Sequence, residues 1–244
     1  MNNSNMNQFV EWIVGFIFPP KCIFCGKVLD SKGDCEIWRV CQQCRQTYVG
    51  HCGDATFPAK LPAASFVIAP LSYAHRPVAS ALRGFKFYHK KVYGKVFGEI
   101  AAKAVMENKE LYQYLQNFDR MVCVPISAQR RNERGYNQAE IAGSRTAQLL
   151  KIPFDDTVLK KIRHTKRQSS FRSLHDRAAN IEGAYAVQKD VNNQKIILFD
   201  DVYTTGATIN ECSKILLEAG AKTVVAMCIA INRTFDPEPE YFQI

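Results

Sequence analysis

Asp200 and Asp201, followed at once by Thr204, Thr205, Gly206, Ala207 and Thr208, form the stretch of this chain best suited to hold a phosphorylated sugar. A phosphate calls for close backbone approach, hydroxyl donors and unpaired N–H groups. Small residues, a permissive glycine, threonines and the start of a helix supply all of these. Two carboxylates beside such a cradle suit a sugar diol and a divalent cation rather than the phosphate itself. The plain alternative is a helix N-cap followed by a turn; it accounts for one Asp or one Thr but not for the whole string. The chain contains neither G-x-x-x-x-G-K-[ST] nor G-x-G-x-x-G, so the turn is no P-loop and no dinucleotide fingerprint.

A second constellation is made of thiols. Cys22 and Cys25, then Cys41 and Cys44, read as two C-x2-C knuckles fifteen residues apart, a spacing typical of a four-cysteine structural zinc site. A redox C-x-x-C is the competing reading, but it needs one pair beside a βαβ unit and leaves the other unexplained. A metal would stabilise a segment too small to bury its own core. Cys35, His51 and Cys52 lie close enough in sequence to replace or add to these ligands, and that choice stays open.

The elements that must position these groups are legible as alternation. FVIAPLSYA, MVCVPI, KIILFD and TVVAMCIAI are short β-rich apolar runs separated by longer helical stretches, which predicts an α/β domain with a mostly parallel sheet flanked by helices. KIILFD is expected to end at the aspartates. Ile209, Cys212, Ile215, Leu216 and Ala219 then share a helix face, with Gly220 as its stop. Ligand sites of open α/β sheets lie at such strand-to-helix turns.

The Pro- and Ala-rich FPAKLPAAS, residues 57 to 65, reads as a linker, with a boundary near residue 60. Residues 1–60 would carry an N-terminal helix and the cysteine module, residues 61–244 the α/β domain. Phe9, Trp12, Ile13, Phe16 and Ile17 fall on one helical face. The preceding MNNSNMNQ lacks the basic residues of a secretory signal, and Glu11, Pro19 and Pro20 interrupt the apolar stretch well short of a bilayer span. A cytoplasmic protein without a transmembrane segment is expected. The 32 Lys plus Arg against 23 Asp plus Glu, a formal +9, favour a phosphate-bearing partner.

DDVYTTGAT resembles the signature by which type I phosphoribosyltransferases bind 5-phosphoribosyl 1-pyrophosphate (PRPP). That resemblance implies Asp200 and Asp201 at the ribose hydroxyls, Thr204 to Thr208 around the 5′-phosphate, and Mg2+ accompanying PRPP. FPPKCIFCG with its second C-x-x-C, VPISAQRRNERGYNQAEIA and KRQSSFRSLHDRAANIEGAY extend the likeness to the ComF competence-protein family and its GntX-type relatives. Members of that family join a zinc ribbon to a phosphoribosyltransferase-like domain. The family's third cysteine pair is broken here by Val49, so a second complete knuckle is not expected.

By position, SAQRRNERGYNQ matches the pyrophosphate-side loop, with Arg130, Arg131 and Arg134 as grips. A basic segment before the PRPP motif would fold over the pyrophosphate, with Lys166 and Arg167 as candidates. The same arginines could track a nucleic-acid backbone, and Phe85, Phe87, Tyr88 and Tyr93 among Lys86, Lys90, Lys91 and Lys95 could add stacking; packing inside a helix is the favoured reading of the aromatics. The resemblance implies a PRPP-binding protein that assists uptake of single-stranded DNA in natural transformation, working with a competence helicase or other uptake proteins. An active phosphoribosyltransferase and a non-catalytic zinc scaffold are the alternatives. No histidine falls in a recognisable catalytic pairing, and no acceptor pocket is evident.

Overall fold

A computed structural model describes residues 19–29, 37, 39–49, 56–58, 63–88, 90–163, 165 and 179–232. The N-terminal apolar face, Cys35, His51, Cys52, Lys166 and Arg167 lie outside the described residues. In chain order the elements are α1 (Gln42–Tyr48), β1 (Thr56–Pro58), β2 (Phe66–Ile68), β3 (Leu71–Ser72), α2 (Arg76–Phe87), α3 (Val92–Glu107), α4 (Lys109–Leu115) and β4 (Arg120–Cys123). They continue as α5 (Ala128–Arg134), α6 (Gln138–Leu150), β5 (Phe154–Asp155), β6 (Leu159–Lys161), β7 (Tyr185–Val187), β8 (Lys195–Tyr203), α7 (Ala207–Glu218) and β9 (Thr223–Ile231).

The main sheet runs β1-β2-β9-β8-β4-β5, with β3 also on β9. All its pairings are parallel except β1 with β2. Parallel strands need crossover connections, which explains the alternation of apolar runs with helical stretches. The linker expectation is corrected at its start: Phe57 and Pro58 belong to β1, an edge strand where a proline can sit without breaking a ladder.

Successive side chains of a strand point to opposite faces, and the two cores follow that rule. Ile197 and Phe199 of β8, with Val225 and Met227 of β9, pack against α2, α3 and α6. Ile196 and Leu198, with Val224 and Ala226, face α7 and the β6–β7 hairpin. Burial on both faces is why β8 and β9 read as continuous apolar runs.

On the first face α3 and α6 come close because α3 carries glycines. A Cβ at Gly98 would lie 2.6 Å from the Ala142 carbonyl oxygen and 2.7 Å from the Arg145 Cβ. Thr146 Oγ1 donates across this seam to the Gly98 carbonyl at 3.2 Å. Gly98→Ala gains helix propensity of about 1 kcal/mol but forces the pair apart. The variant is expected to lose on the order of 2 kcal/mol net, read as a lower urea midpoint.

Candidate functional site

A cavity of about 280 Å3 opens at the carboxyl ends of β4 and β8, between the end of α2, the start of α7, α5 and the β6–β7 hairpin. Its walls include Asp200, Asp201, Thr204, Gly206, Ala207 and Thr208, together with Arg130 and Arg134. The topology therefore brings most of the residues singled out from sequence into one place. Strand β8 does not stop at the aspartates: Val202 pairs with Ala230 and Tyr203 with Ile231. The expected end of the strand is corrected by this extension, which has a chemical consequence.

Because Asp200 and Asp201 sit inside a pleated strand, their side chains diverge. Asp201 turns to the α2 side, where its Oδ2 lies 2.8 Å from Lys86 Nζ. Asp200 turns toward the face of Cys212, Cys228 and Lys161. Burial of its carboxyl, reinforced by the Asp201 charge, pushes Asp200 up to about 7, although the residue keeps some surface open to the cavity. The Asp201 N–H, donating to Asp200 Oδ1 at 2.8 Å, and the Lys86 and Lys161 charges hold it from going higher.

The turn that follows is built as a cradle. Gly206 caps α7 with φ +75°, a left-handed conformation that favours glycine. Glycine has no side chain to cap the helix, and the start of this 12-residue helix lines the cavity through Gly206, Ala207 and Thr208. Thr205 does not line the cavity, and its buried hydroxyl has no hydrogen-bond partner among the described residues. A left-handed glycine at a helix start that lines the cavity suits an anion.

Opposite the cradle stand cations. Arg130 and Arg134 come from α5, whose Ser127 N-cap accepts from the Arg130 N–H and whose end is set by Gly135 at φ +73°. Arg131 is turned away, ion-paired with Glu140 and half-exposed, and does not line the cavity. Lys161, at the end of β6, donates from Nζ to Thr165 Oγ1 at 2.8 Å and Tyr185 Oη at 3.3 Å. Burial, with the Arg130 charge second, pulls Lys161 down to about 8. Among the lining residues Lys86, Arg130, Arg134 and Lys161 face only Asp200 and Asp201 as carboxylates. The site is two positive charges in excess and favours a polyanion.

Lys86, Lys161 and Tyr185 were not singled out as site residues from sequence. Lys86 stood there as one lysine among aromatics, and Lys161 as one member of a long basic run. Of the aromatics, Phe85 is fully buried and stacked on Tyr136, whose hydroxyl donates to the Phe85 carbonyl. Tyr93 is partly buried against the same core. Phe87 and Tyr88, at 54% and 72% exposed, depart from the packing expectation.

The thiol quartet is also assembled. The sulfurs of Cys22, Cys25, Cys41 and Cys44 all lie within 4.8 Å of one another, and Cys25 and Cys41 are 3.8 Å apart. A tetrahedron with metal–sulfur bonds of about 2.3 Å has edges near this length. Gly26, at φ +75°, closes the first knuckle by donating its N–H to the Cys22 carbonyl. Burial alone would raise Cys22; amide N–H groups from Cys25, Cys41 and Phe24 outweigh it and leave the thiol at about 7. Such N–H···S donors favour thiolate, the ligand form. The cluster can hold a structural metal.

The module is seated on the first core rather than standing apart. Phe24 meets Tyr48, Tyr48 meets His75, and Arg45 pairs with Glu107 of α3 at 3.1 Å. No helix among the described residues is long and apolar enough to cross a membrane.

Residues 137–243 match the family described as the phosphoribosyl transferase domain. The chain is 28% identical to competence protein F of Haemophilus influenzae, across 83% of this chain and 86% of that one. It is 26% identical to DNA utilization protein YhgH of Shigella flexneri, over 86% and 96% of the two chains. Competence protein ComFC of Streptococcus pneumoniae is 34% identical over 57% of each. The fold is that of a type I phosphoribosyltransferase, a parallel sheet flanked by helices, with a cysteine cluster near the N-terminus.

Proposed function

This chain belongs to the ComF family, and from that premise we propose that it is a PRPP-binding, competence-type protein that assists the handling of single-stranded DNA. The observation that carries the PRPP half is the cavity itself. It sets two carboxylates and a small-residue turn at a helix start opposite Lys86, Arg130, Arg134 and Lys161. A ligand with a 5′-phosphate, a sugar diol and a diphosphate matches that sequence of acceptors, donors and cations.

In this reading the turn takes the 5′-phosphate through Thr204, Gly206, Ala207 and Thr208, while Thr205, which does not line the cavity, shapes the turn. Asp200 and Asp201 take the ribose hydroxyls, and Arg130, Arg134 and Lys161 take the diphosphate. Arg131 has no place at the ligand, since it is held by Glu140. Lys166 and Arg167, which follow the cavity-lining Lys161 closely in sequence, are proposed to reach the diphosphate. Mg2+ bound with PRPP would neutralise diphosphate charge; the carboxylates of Asp200 and Asp201 are the hard oxygen donors available to it.

The cysteine quartet is proposed to hold Zn2+ in a purely structural role, because four thiolates leave no open coordination position. The competence role rests on the relatives named above. With it come a cytoplasmic location and partners among DNA-uptake proteins, including a helicase.

Titration calorimetry with PRPP and Mg2+ tests the central claim. Saturable one-to-one binding is expected, weakened at least about tenfold in Asp201→Ala, which removes a diol acceptor and leaves Lys86 unpaired. Absence of heat in the wild-type chain would leave a zinc-bearing scaffold. Pyrophosphate release across a screen of nitrogenous bases would turn the binding protein into a transferase.

A further inference from the structure

Two aromatic residues stand exposed in succession where α2 ends, next to the Lys86 that reaches Asp201. Both rings are exposed among the described residues, Phe87 at 54% and Tyr88 at 72%. The cations around them are already arranged against rings. The guanidinium of Arg134 lies 5.2 Å from the Phe87 ring centre, Lys90 Nζ is 5.2 Å from that of Tyr93, and Lys91 Nζ is 5.4 Å from that of Tyr136. Arg134 also lines the cavity, so this cationic and aromatic rim is continuous with the proposed PRPP site.

We propose that Phe87, Tyr88, Lys90, Lys91 and Arg134 form a seat for single-stranded nucleic acid at the mouth of the cavity. The inference rests on the DNA-handling half of the proposed function and gives it a location. Exposed rings offer a face to an unstacked base whatever its identity, and the flanking cations follow the phosphates. A duplex hides its base faces and would meet only the lysines. The Arg134 guanidinium covers one side of Phe87 and pre-orders it, so a base closing on the free side completes a sandwich without fixing a mobile ring.

The test uses the full chain and a fluorescent 30-nucleotide oligo-dT, read by anisotropy at several salt concentrations. A Phe87→Ala, Tyr88→Ala double variant is expected to bind at least about tenfold more weakly with the salt slope unchanged. Lys90→Ala, Lys91→Ala should instead flatten the slope. PRPP calorimetry on the single Tyr88→Ala variant should match wild type, because that ring does not line the cavity and is exposed enough to leave the fold intact. Oligonucleotide binding by wild type that both variants retain would overturn the location and leave DNA handling standing. No binding by wild type would overturn both. Loss of binding to anionic phospholipid vesicles alone, with oligonucleotide affinity intact, would reassign the rim to a membrane surface.

Discussion

Cys41→Ser is expected to abolish metal binding by the cysteine quartet and unfold the N-terminal module, and the α/β domain will lose stability with it. Cys41 is placed to do more than donate a ligand. Its side chain caps α1 by accepting the Cys44 N–H at 3.5 Å, and its own N–H donates to Cys22 Sγ at 3.5 Å. Serine at this position keeps the cap, since its Oγ can accept the same N–H, and the backbone N–H still reaches Cys22, so the substitution isolates the loss of one ligand. Structural zinc in small modules supplies on the order of 10 kcal/mol of folding free energy, far more than the cap, which contributes about 1 kcal/mol.

The damage will spread because Ile23, Phe24, Leu29 and Val40 share a continuous core with α2 and α3. Losing the module uncovers the face of α3 where Arg45 meets Glu107. The expected readouts are one equivalent of zinc per wild-type chain in a chromophoric chelator assay and none in the variant. Proteolytic cuts should appear between residues 22 and 49, and the melting temperature should fall by roughly 10 °C or more, the scale of a loss of several kcal/mol in a domain of this size. A conservative His at position 41 can restore a nitrogen ligand but not the cap, so partial recovery of zinc without full recovery of melting temperature is the matching control. Stoichiometric zinc in Cys41→Ser would remove Cys41 from the ligand set.

The parts of this protein that could be read from sequence are those whose chemistry is written locally. Two C-x2-C pairs state their own geometry, because a knuckle brings its two thiols together whatever surrounds it. The turn from Thr204 to Thr208 states its own geometry too, since a left-handed glycine at a helix start is a matter of neighbouring residues. The alternating cores were implicit in the apolar runs 195–200 and 223–231. Lys86 was not legible, because it meets Asp201 only after the sheet has placed α2 beside the end of β8. Lys161 could not be distinguished from Lys160 until the β6–β7 hairpin fixed which of the two points inward. The same pleat decides that the adjacent aspartates part company, one toward α2 and the other toward α7. Sequence marks them as a pair; only the extension of β8 to Tyr203 gives them different environments.

That difference makes Asp200→Asn the sharpest test of the site: the variant should be more stable than wild type and unable to hold PRPP. A carboxyl whose folded value is raised from 3.8 to about 7 carries a burden in the folded state. Between pH 4 and pH 7 the native chain binds a proton that the unfolded chain has lost, so wild-type stability falls as pH rises through that window, and the deficit is complete above pH 7. Its ceiling is on the order of 4 kcal/mol, from about 1.4 kcal/mol per unit, and the true value is smaller because part of the residue meets solvent. Asparagine removes the charge while its Oδ1 can still accept the Asp201 N–H. The melting temperature of Asp200→Asn should therefore match wild type near pH 4 and exceed it by roughly 4 to 8 °C at pH 8.

PRPP affinity should fall by about a hundredfold or more in the same variant, since a charged acceptor for a sugar hydroxyl is lost. Wild-type affinity should itself follow both neighbours. It should rise toward pH 7 as Asp200 ionises and decline above pH 8 as Lys161, lowered to about 8, gives up the charge that meets the diphosphate. A group that destabilises the empty fold and is needed by the ligand is the signature of a site kept for binding. Asp200→Asn that gained no stability at pH 8, or that kept full PRPP affinity, would mark the aspartate as part of the scaffold instead.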